Sequence, residues 1–164
     1  MFHSLMTTLL FLLFFTSSIF SDIKSIDIDQ LSLQAKKEHK HLLLFFHKDG
    51  CDFCEQMIYK TLGNNEIEDA IDKYFIFVDI GIDDEGSIQH RDFTGIKHRY
   101  AQSLEISFYP TVGFVDGNNS IVYGAIGYRD IEIFSLLLQY IYSGEYKVME
   151  WEDFKSKVEF ESED

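Results

Sequence analysis

The sequence predicts an α/β sandwich built around a mixed sheet. Three observations carry that expectation. Two continuous apolar runs of strand length, "HLLLFF" (41–46) and "FIFVDI" (75–80), suit strands buried on both faces. Helical segments separate them, as a parallel crossover requires. Two further apolar runs flank the turn "GNNS" and precede an amphipathic segment, which reads as an antiparallel hairpin with a covering helix.

The elements follow in order. Within "DIKSIDIDQLSLQAKKEHKH" the apolar residues Ile26, Leu31, Leu33 and Ala35 mark an amphipathic helix in the second half, ending near Lys40. The strand 41–46 comes next. "HKDG" turns the chain, and a helical pattern runs from Cys51 to Leu62, with Phe53, Met57, Ile58 and Leu62 on one side and Gly63 as its stop. "NNEIEDAIDKYF" is a second helix with Asn64 or Asn65 as its N-cap. After the strand 75–80, "GIDDEGSIQHRDFTG" is polar and carries three glycines, and is expected to be a surface insertion. "IKHRYAQSLEI" is a helix running toward Ser103. "TVGFVD" and "IVYGAIG" are strands, with Gly117-Asn118 as the hairpin signal. From Asp130 to Tyr142 a helix points Ile131, Phe134, Leu137, Leu138 and Ile141 inward. The end, "MEWEDFKSKVEFESED", has seven acids against two lysines and is expected to fray into solvent.

Length and composition narrow the function classes. The 164 residues suggest one domain, and 46% hydrophobic with 16% aromatic residues is ample for a packed core. A formal net charge of −14 argues against nucleic acid, which needs a basic surface, and against docking on anionic lipid. Residues 1–21 contain no Lys, Arg, Asp or Glu. An apolar run, Leu9 to Phe15, precedes the small residues Thr16, Ser17 and Ser18. This reads as a signal peptide cleaved near Ser18 or Ser21, although the n-region has His3 and no Lys or Arg. The alternative is an uncleaved anchor, for which the stretch is short against the roughly 20 apolar residues of a span. The expected division is a signal peptide over 1–21, a domain over 22–147 and an acidic tail over 148–164, with the mature protein in the periplasm.

The two cysteines, Cys51 and Cys54, carry the chemistry. In an oxidising compartment thiols pair, yet a bridge closing so small a loop constrains the unfolded chain little, so a structural staple explains it poorly. Cys51 stands where a buried strand hands over to a helix, whose free N–H groups and positive end stabilise a thiolate. Cys54 lies one turn on. That geometry suits attack by Cys51 on a disulfide and release by Cys54. A metal site is the other reading. Zinc asks for four ligands and the chain has no second cysteine pair, while copper(I) could use Cys51, Cys54, Met57 and His47. Haem attachment would need His after Cys54, where Glu55 stands. The one proline, Pro110, precedes a strand, and X–Pro bonds are where a cis peptide is accessible. Its other reading is a strand-entry proline.

With "Cys51-Asp52-Phe53-Cys54" followed by "Tyr109-Pro110-Thr111", the sequence resembles the thioredoxin superfamily over roughly residues 25 to 147. It looks most like exported bacterial thioredoxin-related proteins of the SoxW type. The stretch "FYPTVGFVDGN", the Gly127-Tyr128 pair and "YIYSGEY" have counterparts there. The resemblance implies a thioredoxin-like fold with the CxxC at a helix N-terminus, and a thiol–disulfide oxidoreductase with Cys51 as nucleophile and Cys54 as resolving thiol. It implies a cis-Pro110 beside the sulfurs and a Tyr109 backbone that pairs with substrate. No organic cofactor or metal is implied. The partners would be a disulfide-bearing protein or small substrate and a thiol electron donor, with a membrane protein as one candidate; a monomer is expected. Two departures matter. Asp52 and Phe53 replace the Gly-Pro of thioredoxin proper, so they should tune the motif toward reduction. The buried acid found there six positions before the first cysteine is Phe45 here.

Overall fold

The structure is a computed structural model that describes residues 25–162. The expected signal peptide, residues 1–21, lies outside the described residues. A central four-stranded sheet has the order β3-β2-β6-β7, from β2 (His41–His47), β3 (Phe75–Gly81), β6 (Thr111–Val115) and β7 (Ile121–Ile126). β2 runs parallel to β3, and the β2–β6 and β6–β7 pairs are antiparallel. A smaller sheet, order β1-β4-β5, joins β1 (Ile26–Asp27), β4 (Ser87–His90) and β5 (Phe93–Ile96). The helices are α1 (Ile28–Glu38), α2 (Asp52–Gln56), α3 (Asn65–Tyr74), α4 (Lys97–Ser103), α5 (Ile131–Tyr142) and α6 (Trp151–Ser162).

β2 is the centre of the core, with residues 42–46 all buried. Its alternation divides the interior in two. Leu43 and Phe45 join Met57, Phe114, Phe134 and Leu138 on one face, and Leu42, Leu44 and Phe46 join Ile28, Ile80 and Tyr100 on the other. An unbroken apolar run is therefore what this strand requires.

Several boundaries differ from the sequence reading. α1 begins earlier, because the Asp27 carboxylate accepts the Gln30 N–H, and stops at Glu38, because His39 turns left-handed (φ 57°) and its N–H closes on the Ala35 and Lys36 carbonyls. The expected insertion after β3 instead holds β4 and β5. There Ile88 and His90 face inward and Gln89 outward, an alternation too short to stand out in a polar stretch. The hairpin turn is shaped by the Asp116 carboxylate, which accepts the Asn118 and Ser120 N–H groups at 2.9 and 3.0 Å; Asn119 takes the positive φ (62°), not Gly117. Ile131 is partly exposed, whereas the other four residues expected to face inward from α5 are buried.

The acidic C-terminal segment does not fray. It forms α6, whose Phe154 is buried against Tyr140 at a ring separation of 5.2 Å. Phe154, with partly buried Trp151 and Val158 packed on the same core, outweighs the charge count, because the acids stay on the solvent side.

Candidate functional site

The site grows out of the carboxyl end of β2. Gly50 holds φ +63° with nothing near its missing Cβ, so glycine is there for its backbone and not for space. Cys51 is then the N-cap of α2, not its first helical residue as the sequence pattern suggested. The Cys54 N–H lies 3.2 Å from the Cys51 Sγ, and Cys54 and Glu55 both donate to the Cys51 carbonyl. A thiolate at Cys51 thus inherits a directed N–H donor. The helix continues past Gln56 as a π-helical stretch, Met57–Leu62, closed by Gly63. Met57 is fully buried there, while Phe53 is 60% exposed; the shared inward face expected for these residues stops short of the first turn.

Cys51 and Cys54 form a disulfide. Across from it, the Tyr109–Pro110 peptide bond is cis, and the Tyr109 carbonyl lies 3.7 Å from the Cys51 Sγ. Pro110 is buried and its carbonyl accepts the Gly127 N–H at 2.7 Å, which fixes the loop to the end of β7. The Thr111 hydroxyl donates to the Phe108 carbonyl at 2.7 Å, and the Phe108 ring is exposed. Four sequence-selected residues (Cys51, Cys54, Tyr109 and Pro110) therefore come together across 58 positions of chain. Asp52 and Phe53 project outward beside them.

Neighbouring contacts that sequence reasoning missed brace this end of the sheet. The Asp83 carboxylate accepts the Asp49 N–H at 3.0 Å, tying the turn before the cysteines to the loop after β3. Buried Lys97 reaches the Asp84 carboxylate at 3.1 Å. His47 Nε2 meets Asp79 Oδ1 at 2.7 Å. That hydrogen bond holds the His47 imidazole above its ordinary pKa, against the opposing effect of burial. Burial, with the Asp83 charge behind it, raises the Tyr109 phenol. The His47–Asp79 pair had no local signal in the sequence: the parallel register of β2 and β3 sets Phe45 beside Asp79, which makes His47 its diagonal neighbour. Phe45 itself is buried and stacks on His47. Among the described residues no cluster of three or more His, Cys, Asp or Glu side chains is arranged to hold a metal. Of the residues considered for copper(I), Met57 is sealed in the core and His47 is engaged by Asp79.

The fold and the paired cysteines define the class: a thiol–disulfide oxidoreductase of thioredoxin type. The chain belongs to the thioredoxin-like domain family, which matches residues 29–142. Among solved structures it is similar to a thioredoxin-fold protein from Helicobacter pylori, at 25% identity and a TM-score of 0.65, covering 86% of this chain and 88% of that one. It shares its fold with a thioredoxin from Thermus thermophilus (16% identity, TM-score 0.55, 73% and 86% covered). It does so too with a DsbH oxidoreductase (15% identity, TM-score 0.52, 77% and 86% covered). No curated protein matches the sequence.

Proposed function

We propose that this chain is an exported, periplasmic reductase of disulfides, related to the SoxW type, with Cys51 as nucleophile and Cys54 as resolving thiol. The Cys51 Sγ supports this best: it lies between the Cys54 N–H at 3.2 Å and the cis-Pro110 loop, where the Tyr109 carbonyl is 3.7 Å away. In the reduced protein the Cys51 thiolate attacks one sulfur of the substrate disulfide, and the other sulfur leaves as a thiolate that takes up a proton. The Cys54 thiolate then attacks Cys51 in the mixed disulfide. The second substrate thiol departs and the Cys51–Cys54 disulfide remains. Two electrons and two protons pass to the substrate, and a thiol donor restores the enzyme. The protein acts as a monomer without a further cofactor.

The Tyr109 backbone pairs with an extended substrate segment, in the manner of strand addition. Asp52 disfavours a thiolate beside it, so the disulfide resists reduction and the dithiol form is the better reductant. Export rests on the apolar segment 1–21. The test is trapping. Cys54→Ser should accumulate mixed disulfides with its substrates through Cys51, and Cys51→Ser should abolish reduction of a small disulfide such as cystamine. Full cystamine turnover by Cys51→Ser would overturn the assignment.

A further inference from the structure

The face of the central sheet that carries Leu44 and Phe46 is open over β6 and β7. A groove of about 240 Å³ lies there. Ile106, Ile121 and Ile126 form its walls, and Ile121 and Ile126 are 43% and 61% exposed. Gly113 and Gly124, paired opposite each other in register, form its floor. Neither glycine is demanded by the fold. Neither has a positive φ, and a Cβ on either would meet its nearest neighbour at an ordinary 3.8 Å. Glycine inside a strand weakens it and often marks a bulge, such as the register shift at Phe114 and Val115 beside Gly113, or a place where something else approaches the backbone. The volume is below the roughly 300 Å³ at which pockets for drug-sized molecules begin, and it suits one large side chain.

One end of the groove adjoins the redox loop along the chain. Thr111 and Ile126 line the groove and are paired in register. They directly follow Pro110 and precede Gly127, which are hydrogen-bonded to each other. A polypeptide laid along Tyr109 toward Cys51 passes the mouth of the groove, and an extended segment turns every second side chain to one face. The charge around this path is mixed but weighted to the acidic side: Lys48 before the cysteines and Arg129 beside Gly127 are the nearby cations. Exposed Glu105 lines the groove, exposed Asp52 and Glu55 flank the disulfide, and the chain carries −14 overall.

We propose that this groove is a side-chain subsite of the reductase, taking one bulky apolar residue of an extended, positively charged polypeptide whose cysteine is exchanged at Cys51. This rests on the reading of Cys51 as nucleophile given above. The groove supplies desolvation, and the acidic rim supplies complementarity and faster encounter with cationic segments.

The test uses pre-reduced protein in single turnover. The probes are synthetic peptides with one cysteine capped as a mixed disulfide with thionitrobenzoate, whose release is followed by absorbance. Leu replaces Ala at each of five positions on either side of the cysteine, in a Lys-rich or a Glu-rich background. At one position Leu should raise the second-order rate constant by about tenfold over Ala. The Lys background should exceed the Glu background, by a margin that shrinks in high salt. In Gly124→Leu, which fills the floor, the Leu/Ala ratio should fall to about one, and in Ile126→Ala it should fall part of the way. Both are ratios within one protein sample, so incomplete folding of a variant does not alter them. Absence of Leu preference at every position in the wild type would overturn the subsite. So would a ratio that persists in Gly124→Leu. Absence of thionitrobenzoate release from every peptide would instead remove the nucleophile reading, and the subsite with it.

Discussion

Cys51 and Cys54 differ in their surroundings although they are three residues apart. Cys51 is 9% exposed and has the Cys54 N–H directed at its sulfur, whereas Cys54 is 2% exposed. In the reduced protein, iodoacetamide should label Cys51 at least about tenfold faster than Cys54, read by mass spectrometry of the digested protein. Equal rates would remove the distinction between attacking and resolving thiols. His47 offers a second residue-scale prediction. Its imidazole is raised above the ordinary 6.5 by the hydrogen bond to Asp79. A raised folded-state pKa means that the stabilisation from this pair is complete below about pH 6.5 and is lost as pH rises through the folded value. An NMR titration should place the His47 pKa above 6.5, and Asp79→Asn should bring it down. His90 has the opposite sign. It is buried beside Tyr100, and burial lowers its pKa, so it contributes stability that is lost as pH falls below about 6.5.

At the scale of elements, α6 is the clearest test of what holds the periphery. It is attached through Phe154, which is buried against Tyr140 and stacked near Trp151. Phe154→Ala should cost about 3 kcal/mol of unfolding free energy, as for truncation of a buried aromatic ring, measured by urea denaturation. Reduction of cystamine by the folded variant should be unchanged, because α6 packs on α5 and lies outside the redox site. A loss under 1 kcal/mol would mean that the helix is dispensable to the core. The caps are separate elements of stability. Asn64 accepts the Glu66 and Ile67 N–H groups ahead of α3, and Asp130 accepts the Ile133 N–H ahead of α5. Each fits a sequence signal that needs no tertiary partner.

Across the whole molecule, the proposed direction of electron flow rests on charge. Strong oxidants stabilise the reduced thiolate with donors or positive charge. Here Asp52 and Glu55 stand exposed in the first turn of α2, within a chain of net charge −14. The reduction potential, measured by equilibration with glutathione, should lie well below the roughly −120 mV of DsbA. Asp52→His should raise it and lower the Cys51 pKa. A wild-type value near −120 mV would refute the reductant reading, and an unmoved potential in Asp52→His would refute the charge argument behind it.

The sequence by itself determined the central strands, the crossover, the hairpin and the position of the cysteine pair. Each of these is a local property: an unbroken apolar run for β2, a capping asparagine for α3, a strand-to-helix handover at Cys51. The closeness of Cys51 to Tyr109 was expected only through a family resemblance, since 58 residues separate them and no local rule sets that distance. Tertiary structure alone decided the rest. β4 and β5 are too short and too polar to announce themselves, and exist because Ile88 and His90 have a core to enter. α6 forms because Phe154 finds Tyr140, which outweighs the charge repulsion that composition emphasises. The His47–Asp79 pair and the groove over Gly113 and Gly124 arise from strand register. Register is a relation between distant segments, fixed by which faces are buried together, and no single segment encodes it.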